Sequence, residues 1–242
     1  MKPRIAHFIG TEKWGGMEYL LSAYLAHPGS GAAEHHIVQL NNTCDPEMLE
    51  CFHRHAASHR WLKRCGGFPV PVWPRGARVG WVRHLLRRAG ADLAVVWNVL
   101  DDWRLFTAIR QSGVPAVYYE HGEAWQVRRA TMAREHLADV RGIVGCSRAA
   151  LRMVQLRFEP AAPGRVVRNP VRSLQVSGVA GKTWPADRPW RLGAAGRLIP
   201  IKGIALAIQT LHVLRKNGAD CELWVAGTGP EQNKLQALAA SL

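Results

Sequence analysis

The sequence has 242 residues, 48% of them hydrophobic and 21% charged, which suits a soluble globular chain of one large or two small domains. No run of about 18 apolar residues occurs, which excludes a transmembrane helix, and the start MKPRIAHFIG is too short an apolar run for a signal peptide. The formal net charge of +14 fits a polyanion, an anionic membrane surface or a phosphorylated substrate, and chooses among none of them.

Residues 4–9 read as a buried strand ending at Gly10, followed by a loop through Gly15 and Gly16 and a helix with Met17, Leu20, Leu21, Tyr24 and Leu25 at helical spacing. The glycines are wrongly spaced for a dinucleotide fingerprint, and the strand over 36–40 runs into Asn41 rather than an acid. A phosphate loop of the G-K-[ST] type is absent as well, since Gly16 leads into Met17. What remains is a backbone open to close approach at Gly15 and Gly16, with the Glu18 carboxylate in the first helical turn. That carboxylate is also accounted for as a charge that satisfies the helix dipole.

A helix is expected over 46–57, carrying His53 and His55, with His59 just beyond it. With Cys44, Cys51 and Cys65 these match no zinc spacing, so no metal site is expected. The five cysteines are odd in number and form no C-x-x-C pair, which points to reduced thiols in a cytoplasm. Residues 75–88 form an amphipathic pattern, with Val79, Val82, Leu85 and Leu86 on one side and Arg83, Arg87 and Arg88 on the other. Such a helix covers a sheet or lies on anionic lipid.

Strands over 92–97, 116–120 and 142–145 then alternate with helices over 103–111, 126–137 and 148–158, the pattern of a parallel sheet covered on both faces. Ligands of such sheets meet the carboxyl ends of the strands. Three places fall there: the Gly15–Gly16 loop, the Glu120–His121–Gly122 turn, and Cys146–Ser147. His121 is the histidine best placed for chemistry, the alternative being a buried structural imidazole. After a strand over 165–168, residues 173–189 are rich in Gly, Ser, Pro and Ala and read as a linker. The alternation restarts with a strand at 190–195, a helix at 203–217, a strand at 220–226 and a helix from Glu231. Between the first two lies Gly196-Arg197-Leu198-Ile-Pro-Ile-Lys202-Gly203, a strand, glycine turn and helix start with two cations, which suits a diphosphate.

Taken together, Gly15-Gly16-Met17-Glu18, Glu120-His121-Gly122, Gly142-Ile-Val-Gly-Cys-Ser147, Asn169-Pro-Val171, Gly196-Arg197-Leu198 with Lys202-Gly203, and Trp224-Val-Ala-Gly227-Thr-Gly229-Pro-Glu231 resemble the motifs of the retaining GT-B glycosyltransferases of family 4, in order and nearly end to end. The resemblance implies an α/β protein of GT-B type, with an N-terminal doubly wound Rossmann-like domain (1–172) on the acceptor side, a linker (173–189) and a partial nucleotide-sugar-binding domain (190–242). It implies that Arg197 and Lys202 hold the leaving diphosphate of a UDP- or GDP-linked sugar, with Gly227 and Gly229 in the donor's glycine loop. Gly15 and Gly16 would approach the phosphate or the acceptor, His121 the donor sugar near the reacting carbon, and Glu18 the acceptor side. No metal cofactor and no protein nucleophile are implied.

The implied reaction is hexosyl transfer with retention to a saccharide or lipid-linked acceptor, of the kind used in bacterial polysaccharide or lipopolysaccharide biosynthesis. A cytoplasmic protein with peripheral contact to the inner membrane face follows. The family's E-x7-E pair has no counterpart in residues 1–242, so the chain is expected to hold about a third of a C-terminal domain and to be inactive alone. The other readings are an epimerase or phosphorylase of the same fold, or a non-catalytic basic module for anionic lipid or sequence-blind nucleic acid.

Overall fold

The first strand, β1 (Arg4–Ile9), sends Ala6 and Phe8 to one side and His7 and Ile9 to the other, and all four are buried. A strand buried on both faces needs cover on both faces, and the following elements supply it. The computed structural model describes residues 1–10, 16–41, 44–62, 64–65, 68–69, 76–122, 124, 127, 130–170 and 188–242. The chain divides into two compact units, Met1–Arg172 and Ser173–Leu242.

In the first unit, α1 (Gly16–Ala26), a 3-10 turn (Pro28–Ala32), β2 (Glu34–Gln39), α2 (Pro46–His55) and β3 (Ser58–Trp61) follow β1, then a small antiparallel pair, β4 (Arg64–Cys65) with β5 (Phe68–Pro69). There follow α3 (Ala77–Ala89), β6 (Leu93–Trp97), α4 (Trp103–Ser112), β7 (Ala116–Glu120), α5 (Ala130–Ala138), β8 (Gly142–Gly145), α6 (Arg148–Phe158) and β9 (Gly164–Val166). Seven strands form one sheet in the order β3-β2-β1-β6-β7-β8-β9, every pair parallel. The order reverses between β1 and β6, so a crevice opens outside the carboxyl ends of those two strands, where open α/β sheets bind ligands.

One face packs Ala6, Phe8, Val96 and Tyr118 against Val82, Leu86, Leu105, Ile109, Leu137 and Phe158 from α3 to α6. On the other face Ile9, Ile37, Trp97 and Tyr119 meet Leu21 and Leu25 of α1 and Met48 and Phe52 of α2. Each fully buried side chain such as Phe8, Phe52 or Met48 contributes about 1.5–3 kcal/mol. The amphipathic helix of the arginine-rich stretch is α3, and it buries Val82, Leu85 and Leu86 while Arg87 and Arg88 stay exposed.

Helix starts follow local chemistry. Asp45 accepts from the Glu47 amide at 3.1 Å before Pro46 opens α2, and Ser147 accepts from Ala150 N at 3.0 Å to open α6. Gly145 stands just before that cap because a Cβ there would lie 2.7 Å from the backbone nitrogen of Leu151. Sequence periodicity missed β3, since Ser58-His-Arg-Trp61 pairs on one edge only and carries no apolar alternation. The last strand of the sheet is Gly164–Val166, one residue earlier at its start than the expected 165–168.

In the second unit, β10 (Trp190–Ala195), a 3-10 turn (Pro200–Lys202), α7 (Ile204–Lys216), β11 (Cys221–Ala226) and α8 (Gln232–Ser241) form a two-stranded parallel sheet packed on two helices. Its core is Leu198, Ile204, Ile208 and Leu235. Trp190 and Trp224 are more than half exposed, at 62% and 59%, so much of this sheet lies uncovered. The expected linker falls almost wholly outside the described residues, as do Gly15, residues 70–75 and part of the stretch before α5. Among the described residues no helix is long and apolar enough to cross a membrane.

Candidate functional site

In the first unit the chemistry-bearing residues gather at the carboxyl ends of β1, β6, β7 and β8. Glu120 ends β7 and is fully buried. Its carboxylate accepts from the Tyr118 hydroxyl at 2.6 Å, the Gly122 amide at 2.6 Å and the Ala124 amide at 3.0 Å. Gly122 sits at φ +99°, a conformation that glycine tolerates. Glu120 therefore ties the turn that presents His121, and its oxygens are occupied by that task.

His121 is fixed from two sides. Its backbone N–H donates to Asn98 Oδ1 at 2.8 Å, and Asn98 reaches that position with φ +54°, which asparagine adopts more readily than most residues. Its ring stacks on the Trp97 indole at 5.7 Å and 19°, and lies 4.4 Å from the Tyr119 ring. Burial lowers its pKa to about 4, so the imidazole is neutral at neutral pH. Its Nε2 is buried and has no hydrogen-bond partner among the described residues. A neutral imidazole with an unpartnered ring nitrogen keeps its hydrogen-bonding capacity.

Gly16 begins α1, and among the described residues a Cβ there would meet nothing within 4 Å. Glu18 lies one turn in, 3% exposed, with Oε1 unpartnered among the described residues. Burial, then the Glu120 charge, push the Cys146 thiol pKa up, away from the thiolate form.

A polar cavity of about 300 Å³ opens at the switch point, lined among others by Gly10, Asn41, Arg78, Asn98, Asp101 and Asp102. Asn41 donates to the Gly10 carbonyl, and Arg78 pairs with Asp102, whose other oxygen accepts from Leu105 N at 3.3 Å to cap α4. Sequence reasoning missed this group. The rule that selected His121, a polar residue directly beyond a parallel strand, also selects Asn98.

In the second unit the two glycine turns lock together. The Gly196 amide donates to the Ala226 carbonyl at 3.0 Å, Leu198 N to the Thr228 carbonyl at 2.9 Å, and Glu231 N to the Leu198 carbonyl at 3.1 Å. A Cβ on Gly227 would overlap the Gly196 carbonyl, and one on Gly229 would lie 2.7 Å from Leu198 N. Glycine at both positions is thus required by backbone approach. Lys202 folds its stem over Gly196, whose Cβ would stand 3.9 Å from its Cγ and Cδ. Gly203, at φ +67°, turns the chain into α7, whose start no side chain caps. Arg197 and Lys202 are exposed and have no carboxylate partner among the described residues. The 13-residue α7 starts uncapped, with Lys202 just before its Gly203 cap, and helix starts of this kind with cations nearby are where anions bind.

Among the described residues, no three of His, Cys, Asp and Glu approach closely enough to hold a metal ion. Burial also lowers His7 to about 3 and His59 to about 4. A histidine whose folded pKa lies below its unfolded value of about 6.5 costs stability as the unfolded chain protonates first. That stability is full above the unfolded pKa and is lost as pH falls toward 4. A melting series is expected to be flat from pH 7 to 8 and to fall steadily below 6.5; a melting temperature that rises on acidification in that window contradicts neutral buried imidazoles.

These features define an α/β fold of GT-B type, a seven-stranded Rossmann-like parallel sheet followed by a small second parallel unit. The chain aligns over 98% of its length with the lipopolysaccharide outer core galactosyltransferase WaaB, at TM-score 0.67 and 16% identity. It aligns over 98% with Anabaena HepE solved with UDP and glucose, at 0.66 and 17%, and over its whole length with a UDP-N-acetylglucosamine 2-epimerase, at 0.53 and 12%. It spans 64% of the WaaB chain and 65% of the HepE chain. No protein-family model matches the chain, and no curated protein matches it in sequence.

Proposed function

We propose that the chain carries the site of a retaining glycosyltransferase, which moves a sugar from a UDP- or GDP-linked donor to a saccharide or lipid-linked acceptor. The observation that carries this reading is the α7 start, with Arg197 and Lys202 without a carboxylate partner among the described residues, beside two interlocked glycine turns. There the helix dipole and both cations stabilise the negative charge that develops on a diphosphate leaving group. His121 offers a neutral ring nitrogen to the donor sugar, and Gly16 leaves room beside the first helix. Glu18 and the Asn41–Asn98–Asp101 cavity serve the hydroxyl groups of the acceptor.

This reading calls for no protein nucleophile: the Glu120 carboxylate accepts from the Tyr118 hydroxyl and the Gly122 and Ala124 amides, and burial pushes the Cys146 thiol pKa up. Attack by the acceptor on the face the diphosphate leaves is the route these residues favour. The epimerase fold is shared, but such chemistry needs acid–base groups on the sugar; the Glu120 carboxylate is tied to Tyr118 and that of Asp102 to Arg78, with Glu18 Oε1 left unpartnered among the described residues.

Calorimetric titration of the chain with UDP and GDP tests the reading. Micromolar binding of one nucleotide supports it and names the base; absence of binding in a chain that melts sharply contradicts it. A second reading, a basic module on anionic lipid, is favoured by the +14 charge and the exposed Arg87 and Arg88 of α3. Failure to sediment with anionic vesicles at low salt removes it.

A further inference from the structure

Behind His121 runs a chain of hydrogen bonds that the proposed reaction does not use. The Trp97 indole N–H donates to His7 Nδ1 at 3.0 Å. Indole is only a donor, so His7 Nδ1 must be bare and its proton must sit on Nε2. His7 Nε2 lies 3.0 Å from His35 Nδ1, which must therefore accept. The His35 proton is then on Nε2, 3.1 Å from the Ser30 carbonyl, an oxygen that only accepts. A donor at one end and an acceptor at the other leave one assignment for both imidazoles: neutral, with the proton on Nε2.

The arrangement is buried and built. His7 is 2% exposed and His35 3%. Tyr24 of α1 meets both rings edge-on, at 6.1 and 5.2 Å. The titratable groups facing the pair are Tyr24 from α1 and Tyr119 beyond Trp97 on β7, with Tyr19, His27 and Arg168 lining the same cavity, while His36 acts on His7 from the opposite face of β2. Burial and the neighbouring His35 hold His7 at about 3, in agreement with the assignment from geometry.

We propose that His7 is a positioning residue for His121: locked with His35, it fixes the rotation of the Trp97 indole on which the His121 ring is stacked. The lateral restraint comes from Tyr119, 4.7 Å from Trp97 and itself anchored by a 3.0 Å hydrogen bond to the Val167 carbonyl. An indole pinned at its nitrogen presents one face at one height, and a stacked imidazole inherits that placement. The catalytic consequence rests on the reading of His121 as the group facing the donor sugar; the physical lock does not.

The test uses the intact chain without nucleotide, so failure of nucleotide binding and failure of the lock are read separately. Ring 15N–1H spectra of the wild-type protein are expected to show His7 and His35 as neutral Nε2–H tautomers from pH 5 to 8. Protonation of His7 near pH 6.5, or a proton on its Nδ1, overturns the proposal. His7→Leu removes the acceptor for Trp97. It is expected to shift the His121 ring signals away from their stacked values and to raise its titration midpoint from about 4. His7→Asn keeps an oxygen near the Nδ1 position and is expected to restore both signals. Unchanged His121 signals in a folded His7→Leu protein make His7 a core residue only. If that variant does not fold, the wild-type tautomers and His7→Asn decide.

Discussion

Replacing Lys202 or Arg197 with alanine is expected to weaken binding of a nucleoside diphosphate by about 1.5–3 kcal/mol each, roughly 10- to 150-fold. Both side chains are exposed and have no carboxylate partner among the described residues, so neither variant removes an ion pair of the fold, and the melting temperature should change little. The expectation differs between the two. Arg197 presents a planar fork and should tolerate lysine poorly, whereas Lys202 acts as a point charge whose stem lies along Gly196. Calorimetry on the two alanine variants and on Arg197→Lys checks this. Unchanged affinity in both alanine variants contradicts the site.

Glu120→Ala is expected to cost about 3–5 kcal/mol of stability, because it removes the buried acceptor of the Tyr118 hydroxyl and of the Gly122 and Ala124 amides together. Those amides belong to the turn that carries His121, so the loss should spread to its placement. Glu120→Gln keeps an acceptor oxygen and should recover much of the deficit. Denaturant unfolding of the three proteins measures the difference. A Glu120→Ala protein within 1 kcal/mol of wild type, against the expectation drawn from buried unsatisfied donors, would show that the turn is held by other means.

The difference between these two positions also shows what the sequence carried. Strands 116–120, 142–145 and 190–195 stand where the pattern placed them, because strands of a parallel sheet are short apolar runs bounded by glycine, proline or a charge. The turn at 120–122 was legible for the same reason. In the sequence Glu120 is only the residue that precedes His121 in that turn, and the donors around its carboxylate give its role.

His7 was invisible: inside RIAHFI it reads as one polar letter in an apolar strand. Its partners are residues 35 and 97, brought beside it by β2 and β6. The Asn98–Asp102 group drew no reading from the sequence, though it stands at the switch point. β3 lacked a pattern because an edge strand with one neighbour needs none. Glycines 227 and 229 were chosen as ligand-binding residues, and the geometry gives them a prior task, the approach of two backbone turns.

The most direct test of the account is an amide 1H–15N map of the chain titrated with UDP and with GDP. The largest shifts are predicted at the Ile204, Ala205 and Leu206 amides that open α7, with Gly196, Lys202 and Gly203 moving beside them. Shifts spread evenly over the arginine-rich surface of α3 to α6, with the α7 start unmoved, would contradict the diphosphate site and favour a general affinity for anions.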